Sequence, residues 1–203
     1  MLLPNKKDTV HKAWLYRLLS AIYDDQFLAS ALYFKGGTCA AMLGWLDRFS
    51  VDLDFDYVAG KEEMSETRSR LEVIFKKNGL EVKDASARTP QYFLKYDAPE
   101  PGRNTIKIDV TYPPPVANAY RVFKLAEIDR LISCQTVETM FANKLVALIE
   151  RFEKNETIAG RDLYDVHYFF TRGFDYNQAV IVERRGKESA VFLRELIDFV
   201  EKN

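Results

Sequence analysis

The chain has 203 residues, 47% of them hydrophobic and 29% charged, the balance of an ordinary globular protein long enough to bury a core without disulfide staples. Lys and Arg number 29 against 30 Asp and Glu, a formal net charge of -1, which excludes a generally basic nucleic-acid binder and leaves RNA or DNA only a local patch. Two cysteines, Cys39 and Cys134, are too few for a disulfide framework and read as small core residues of a reducing compartment. No run approaches the ~20 apolar residues of a membrane span. The first charges follow a very short apolar start, the wrong order for a secretory signal. The expectation is a cytoplasmic protein with no membrane partner.

Residues 9–23 predict an amphipathic helix, because Val10, Trp14, Leu18 and Ile22 recur at helical spacing with Leu15 and Leu19 beside them. A short apolar run at 30–35 reads as a strand. The turn Gly36-Gly37-Thr38 follows, and then a compact helix over 39–46. Residues 50–57 alternate strictly, Val51, Leu53 and Phe55 on one face and Asp52, Asp54 and Asp56 on the other, which is the period of a strand. Residues 61–78 are helical in pattern, with Gly79 placed to end the helix. Further strands are predicted at 80–82, 91–96 and 105–110. The prolines at 113–115 can continue neither helix nor central strand, so a subdomain boundary is expected there, dividing the chain into 1–115 and 116–203. Beyond it Thr136 caps a helix reaching about 152, a second runs over 160–171 to Gly173, and a third covers 187–201. A mixed α/β half is thus followed by a helical one.

The three aspartates are the sharpest chemical feature. On a strand, residues i and i+2 point to one side about 7 Å apart, so their mutual repulsion calls for compensation. A hard divalent cation such as Mg²⁺ supplies it; a solvated acidic edge is the alternative. Gly36, Gly37 and Thr38 offer unhindered N–H groups and a hydroxyl to a phosphate, or are simply a tight turn. A phosphate cradle one short helix away from a carboxylate strand would set a triphosphate beside its metal. Lys144 borders the apolar stripe of its helix, between Met140 and Leu148, and either snorkels or reaches an anion. Arg161 and Asp162 open the next helix as a catalytic pair or as cap and ion pair. Tyr164 and Asp165 could be a structural hydrogen-bonding pair. The aromatic run Tyr164, Tyr168, Phe169 and Phe170 reads as helix core, and Arg184, Arg185 and Lys187 as a solvated turn that could touch nucleic acid. His11 and His167 have no ligand-spaced companions, so no zinc site is expected.

Lys35-Gly36-Gly37-Thr38, then Arg48-Phe-Ser50-Val-Asp52-Leu-Asp54-Phe55, then Glu138-Thr-Met-Phe-Ala-Asn-Lys144, then Arg161-Asp162-Leu-Tyr-Asp165, taken in this order, resemble the motifs of the AbiEii/AbiGii toxin family. These are DNA-polymerase-β-like nucleotidyltransferases of bacterial abortive-infection and toxin–antitoxin systems. The resemblance spans roughly residues 34–170. It implies an α+β fold: a polymerase-β-like core, a mixed sheet with flanking helices, followed by a C-terminal helical subdomain that completes the active-site cleft. It also implies that Asp52 and Asp54 hold Mg²⁺ or Mn²⁺, with Ser50, Lys35, Gly36, Gly37 and Thr38 near the NTP. Lys144 would contact phosphates and Asp162 would be the carboxylate of the last motif. Asp109, in the alternating segment Ile-Lys-Ile-Asp-Val, is the candidate third carboxylate, as metal ligand or base. Asp56 lies outside the paired-aspartate motif, behind the metal ligands or facing solvent.

The implied activity is transfer of NMP from an NTP with release of pyrophosphate. RNA is the implied acceptor, a tRNA 3′ end favoured, and a cognate antitoxin the implied partner. The alternatives are a nucleotide-binding or interaction protein with the same fold and no turnover, and a sugar-nucleotide glycosyltransferase using Asp-x-Asp.

Overall fold

The computed structural model describes residues 6–98 and 102–202. The chain forms two units, Met1–Pro114 with Tyr120–Cys134, and Pro115–Ala119 with Gln135–Asn203. It returns to the first unit once before leaving it, rather than dividing at the single cut expected after 115.

In the first unit α1 (Lys6–Asp24) buries Leu15, Leu18, Leu19 and Ile22 completely. Its buried stripe is rotated from the expected one, since Val10 is exposed and His11 enters the core. Asp25 interrupts the helix and caps α2 (Gln26–Ala31), its carboxylate accepting from the N–H groups of Phe27 and Leu28. Such a cap is worth about 1 kcal/mol. Six residues are too few for helical periodicity to show in the sequence. β1 (Leu32–Lys35) runs straight into α3 (Gly36–Met42), and a loop leads to β2 (Leu53–Tyr57). α4 (Met64–Lys77) ends at Gly79, whose φ of +70° a residue with a side chain rarely adopts. β3 (Glu81–Ala85), β4 (Tyr92–Lys95), β5 (Thr105–Thr111), β6 (Tyr120–Leu125) and β7 (Arg130–Gln135) complete the sheet.

Among the described residues the sheet has seven strands in the order β3-β4-β5-β2-β1-β7-β6. β2–β5 and β1–β7 are parallel, and the other pairs of known direction are antiparallel. Register sorts the side chains. Leu32 and Phe34 lie opposite Tyr57 and Phe55, and Leu53 and Phe55 opposite Ile108 and Val110, all on one buried face. Phe75 and Thr67 of α4 meet that face at Tyr92 and Tyr57. The opposite face pairs Tyr33 with Asp56, Lys35 with Asp54, Asp54 with Asp109 and Asp56 with Thr111. This is a sheet with one apolar and one chemically active side.

β6 and β7 stand where the helical half was expected to have begun. Arg121, Val122 and Lys124 of β6 are exposed, as suits an edge strand, so its pattern lacks an unbroken apolar face.

The second unit is helical. α5 (Val137–Asn155) is capped by Thr136, whose hydroxyl accepts from the Thr139 N–H. α6 (Gly160–Thr171), α7 (Gln178–Arg185) and α8 (Ser189–Lys202) follow. Phe141 packs on Phe169 and Phe170 at 5.1 and 4.7 Å, and Phe152 on Phe199 at 5.0 Å. The basic cluster is not a solvated turn. Arg184 pairs with Glu150, Arg185 with Glu153 and Lys187 with Glu195, tying α7 and the turn after it to α5 and α8.

Candidate active site

The active side of the sheet is built around Gly36. This residue has φ +79°, and a Cβ there would stand 2.5 Å from the Asp54 Oδ2 and 3.1 Å from its Cγ. At Gly37 a Cβ would stand 2.7 Å from the Arg48 Nη2 and 3.1 Å from the Ser50 Oγ. Gly36 is thus fixed by its positive φ as well as by close approach, whereas at Gly37 a side chain would displace the Arg48 guanidinium. Thr38 is fully buried and its hydroxyl has no hydrogen-bond partner, a state that costs about 1–3 kcal/mol. Fold and sequence converge here: the turn after β1 lies against the segment that leads into β2.

Asp54 and Asp109 are directly paired on parallel neighbouring strands, both half-buried. Asp52 precedes β2 rather than lying in it, so the expected strand over 50–57 begins three residues late, at Leu53. Asp109 accepts from Gln91 Nε2 at 3.1 Å and is ion-paired with Lys107. Among the described residues no three or more acidic, Cys or His side chains form a cluster able to hold a metal. Carboxylates and hydroxyls are nevertheless the hard oxygen donors that Mg²⁺ prefers, so the donor set around Gly36 fits that ion chemically.

Lys35 and Asp56 form a second arrangement on the same face. The Lys35 ammonium donates to Asp56 Oδ1 at 2.6 Å and to Thr111 Oγ1 at 2.7 Å, while the Tyr120 hydroxyl donates to Asp56 Oδ2 at 2.8 Å. Asp56 is 0% exposed, which removes the solvent-facing option for it. The Lys35 charge, expected near the NTP, is directed at this aspartate.

Behind the Asp52 segment stands His11. Its Nε2 lies 2.8 Å from the Val51 carbonyl, and its Nδ1 lies 2.7 Å from the Tyr96 hydroxyl. A carbonyl only accepts, so Nε2 carries a proton, and the Tyr96 hydroxyl beside Nδ1 donates to the Arg103 carbonyl at 2.6 Å. Burial lowers the His11 pKa below its ordinary 6.5, against the opposing pull of the Val51 carbonyl. Sequence reasoning set this histidine aside because it sought metal ligands, and a buried hydrogen-bonded histidine has no spacing signature. Arg48, whose guanidinium lies against Gly37, has no sequence signal beyond its place between the glycines and the aspartates.

In the second unit the structure brings Lys144 and Asp162 together. Lys144 Nζ donates to Asp162 Oδ1 at 2.6 Å and pairs with Asp165 Oδ2 at 3.0 Å, and Arg151 pairs with the other Asp162 oxygen. Asp162 and Asp165 are 2% and 0% exposed. Arg161 is exposed and its expected partner, Asp162, is held by Lys144 and Arg151 instead. The i, i+3 spacing of Asp162 and Asp165 puts both carboxylates on the inner side of α6. Of the aromatic run expected in the core only Phe169 is fully buried, because the aspartates take part of the inward face; Tyr164 is 42% and Phe170 47% exposed.

The sequence profile of the nucleotidyl transferase AbiEii toxin, a component of type IV toxin–antitoxin systems, matches residues 17–202. No match is found among curated proteins. Similar solved structures include MenT4, a nucleotidyltransferase toxin of Mycobacterium tuberculosis, at 19% identity and TM-score 0.59 over 85% of this chain and 61% of that one. JHP933 of Helicobacter pylori matches at 20% identity and TM-score 0.55, over 84% and 68%. The antibiotic-resistance factor ANT(2'')-Ia matches at 16% and 0.54, over 96% and 97%. These likenesses show a nucleotidyltransferase-like fold, a mixed sheet with flanking helices, and the profile covers nearly the whole chain, motifs included. This chain therefore belongs to the AbiEii family of nucleotidyltransferase toxins.

Proposed function

We propose that the protein transfers NMP from an NTP to a hydroxyl of RNA, a tRNA 3′ end being the favoured acceptor, with Mg²⁺ or Mn²⁺ as cofactor. A cognate antitoxin in the same cytoplasm would restrain it. The observation that carries the reading is the contact of Gly36 with the Asp54 carboxylate, beside a buried Thr38 hydroxyl that makes no bond within the protein. Two glycines without side chains and an unspent hydroxyl suit a phosphate chain, and Asp54 suits its counter-ion.

In this reading Gly36, Gly37, Thr38 and Ser50 hold the triphosphate, and the Arg48 guanidinium beside Gly37 balances charge as pyrophosphate departs. Asp52 and Asp54 are the metal ligands. The chemistry Mg²⁺ would supply there is neutralisation of the triphosphate and of the leaving group. The acceptor oxygen forms its bond to the α-phosphorus in line with the breaking bond to the β-phosphate, and pyrophosphate leaves. Asp109, opposite Asp54, takes up the acceptor's proton or completes the metal site. For Lys144 and Asp162, paired with each other in the second unit, the motif match implies phosphate contact and the last-motif carboxylate.

The test is incubation of purified protein with each labelled NTP, Mg²⁺ and total tRNA beside Asp52→Ala. Label in RNA with the native protein alone is the expected result. Label confined to the protein, or equal label with the variant, would overturn the acceptor or the metal assignment respectively.

A further inference from the structure

α6 turns its charge inside out. Its acidic residues, Asp162 and Asp165, are buried and paired with Lys144 and Arg151. Its exposed side chains include Arg161, Leu163, Tyr164, His167 and Phe170, with Arg172 at its C-terminal end, and none is a carboxylate. Tyr164, Tyr168 and Arg172 follow at i, i+4 and i+8, which lines them along one side of the helix. The two tyrosine rings are stacked, with centroids 6.2 Å apart and planes 25° from parallel. The Arg172 guanidinium lies 5.2 Å from the Tyr168 ring centre, and its Nε donates to the Tyr168 hydroxyl at 3.1 Å. The result is an ordered ladder of two aromatic rings and a cation, Tyr164 and Arg172 exposed and Tyr168 half-buried between them.

We propose that this face of α6 is the seat for unpaired nucleotides of the RNA acceptor, an assignment that rests on the RNA reading above. Bases freed from a duplex stack on tyrosine rings and on guanidinium planes, whatever their sequence. Their phosphates find Arg161 and Arg172 with no acidic side chain on the helix surface to repel them. A paired stem offers phosphates but keeps its bases stacked on one another, so the ladder selects single strands. A protein near neutrality thereby gains the local patch that its composition requires of any RNA binder. The stacking of Tyr164 on Tyr168 also means that little side-chain freedom remains to be lost when a base adds to the ladder.

The test is fluorescence anisotropy with an end-labelled single-stranded RNA of about 12 nucleotides, within the usual span of such sites, and with the same strand in a duplex. EDTA is present and NTP absent, so binding is read without turnover. The single strand should bind more tightly than the duplex. Tyr164→Ala and Tyr168→Ala should each weaken single-strand binding about tenfold, and Tyr168→Phe, which keeps the ring, should restore it. Arg172→Gln should lower the slope of log affinity against log salt by about 0.7. Equal affinity for duplex and single strand, native affinity in both alanine variants, or no RNA binding by the native protein would each overturn the proposal. Should Tyr168→Ala fail to fold by circular dichroism, Tyr164→Ala decides alone, since that side chain is the more exposed. Label entering RNA in the transfer assay while the alanine variants bind normally would sink the platform and leave the transferase; binding without transfer would do the reverse.

Discussion

The first unit's Asp54 and Asp109 and the second unit's Asp162 and Asp165 are pairs of the same residue, yet they are housed in opposite ways. Asp54 and Asp109 lie side by side on adjoining strands, half-buried, with a glycine backbone pressed against one of them. Asp162 and Asp165 are sealed, and two cations of their own unit neutralise them. A half-buried carboxylate, even one paired as Asp109 is with Lys107, yields a partner to a metal at smaller cost than one sealed with Lys and Arg in the interior. The first arrangement is suited to chemistry, and the second fixes a helix whose outer face is then free of negative charge.

The widest separation between the two pairs should come from removing one carboxylate in each. Asp54→Ala is expected to reduce transfer by about a thousandfold or more, on the scale of losing a charge-stabilising group, with little change in the denaturation midpoint. Asp165→Asn is expected to act first on stability. It strips the half-buried Lys144 of one of its two counter-charges, and breaking a buried pair costs about 3–5 kcal/mol. Urea titration of both variants beside a transfer assay reads the contrast. A stable Asp165→Asn protein with no activity would move that aspartate into the chemical class.

Lys35 sharpens the comparison within the first unit. Its ammonium faces Asp56, which is as sealed as the second unit's pair, so Lys35→Met should destabilise by about 3 kcal/mol. Lys35→Met with Asp56→Leu should recover much of that loss. Nucleotide affinity measured on the double variant then tells whether the lysine also serves the NTP: unchanged affinity would confine it to the fold.

Much of this was legible in the sequence because it is periodic or local. The alternation of Thr105–Thr111 survives residue by residue as partly exposed and buried positions, and Thr136, Gly79 and Gly173 mark the helix ends where caps belong. The motif order pointed to Gly36 and Asp54 without showing that they touch. What escaped depends on partners distant in the chain. Asp56 looked like any outward residue of an alternating strand until β1 and the start of β6 supplied Lys35 and Tyr120. β6 hid because an edge strand buries little and so keeps no apolar face. His11 looked like an isolated histidine, since its partners, Val51 and Tyr96, lie 40 and 85 residues away.

That histidine yields the smallest expected effect and the most direct sign. Folding lowers its pKa below 6.5 because burial opposes the charged ring, while the unfolded chain leaves it ordinary. Above 6.5 neither state binds the proton and the folded protein keeps its full stability. As pH falls through 6.5 the unfolded state takes up a proton that the folded state refuses, so stability declines, until pH reaches the lowered folded value and the loss stops. The slope contributed cannot exceed about 1.4 kcal/mol per pH unit. In the cation both ring nitrogens donate, and the Tyr96 hydroxyl, whose proton goes to the Arg103 carbonyl 2.6 Å away, can accept from Nδ1. Tyr96 itself stays neutral throughout, its pKa pushed up by burial to about 12. His11→Gln can still donate to Val51 but cannot titrate. Urea midpoints at pH 7.5 and 5.5, compared with the native protein's, should therefore lose this part of the slope while transfer at neutral pH falls only modestly. A large loss of transfer in His11→Gln, with stability intact, would mean that the imidazole sets the placement of Asp52 through the Val51 carbonyl more tightly than an amide can.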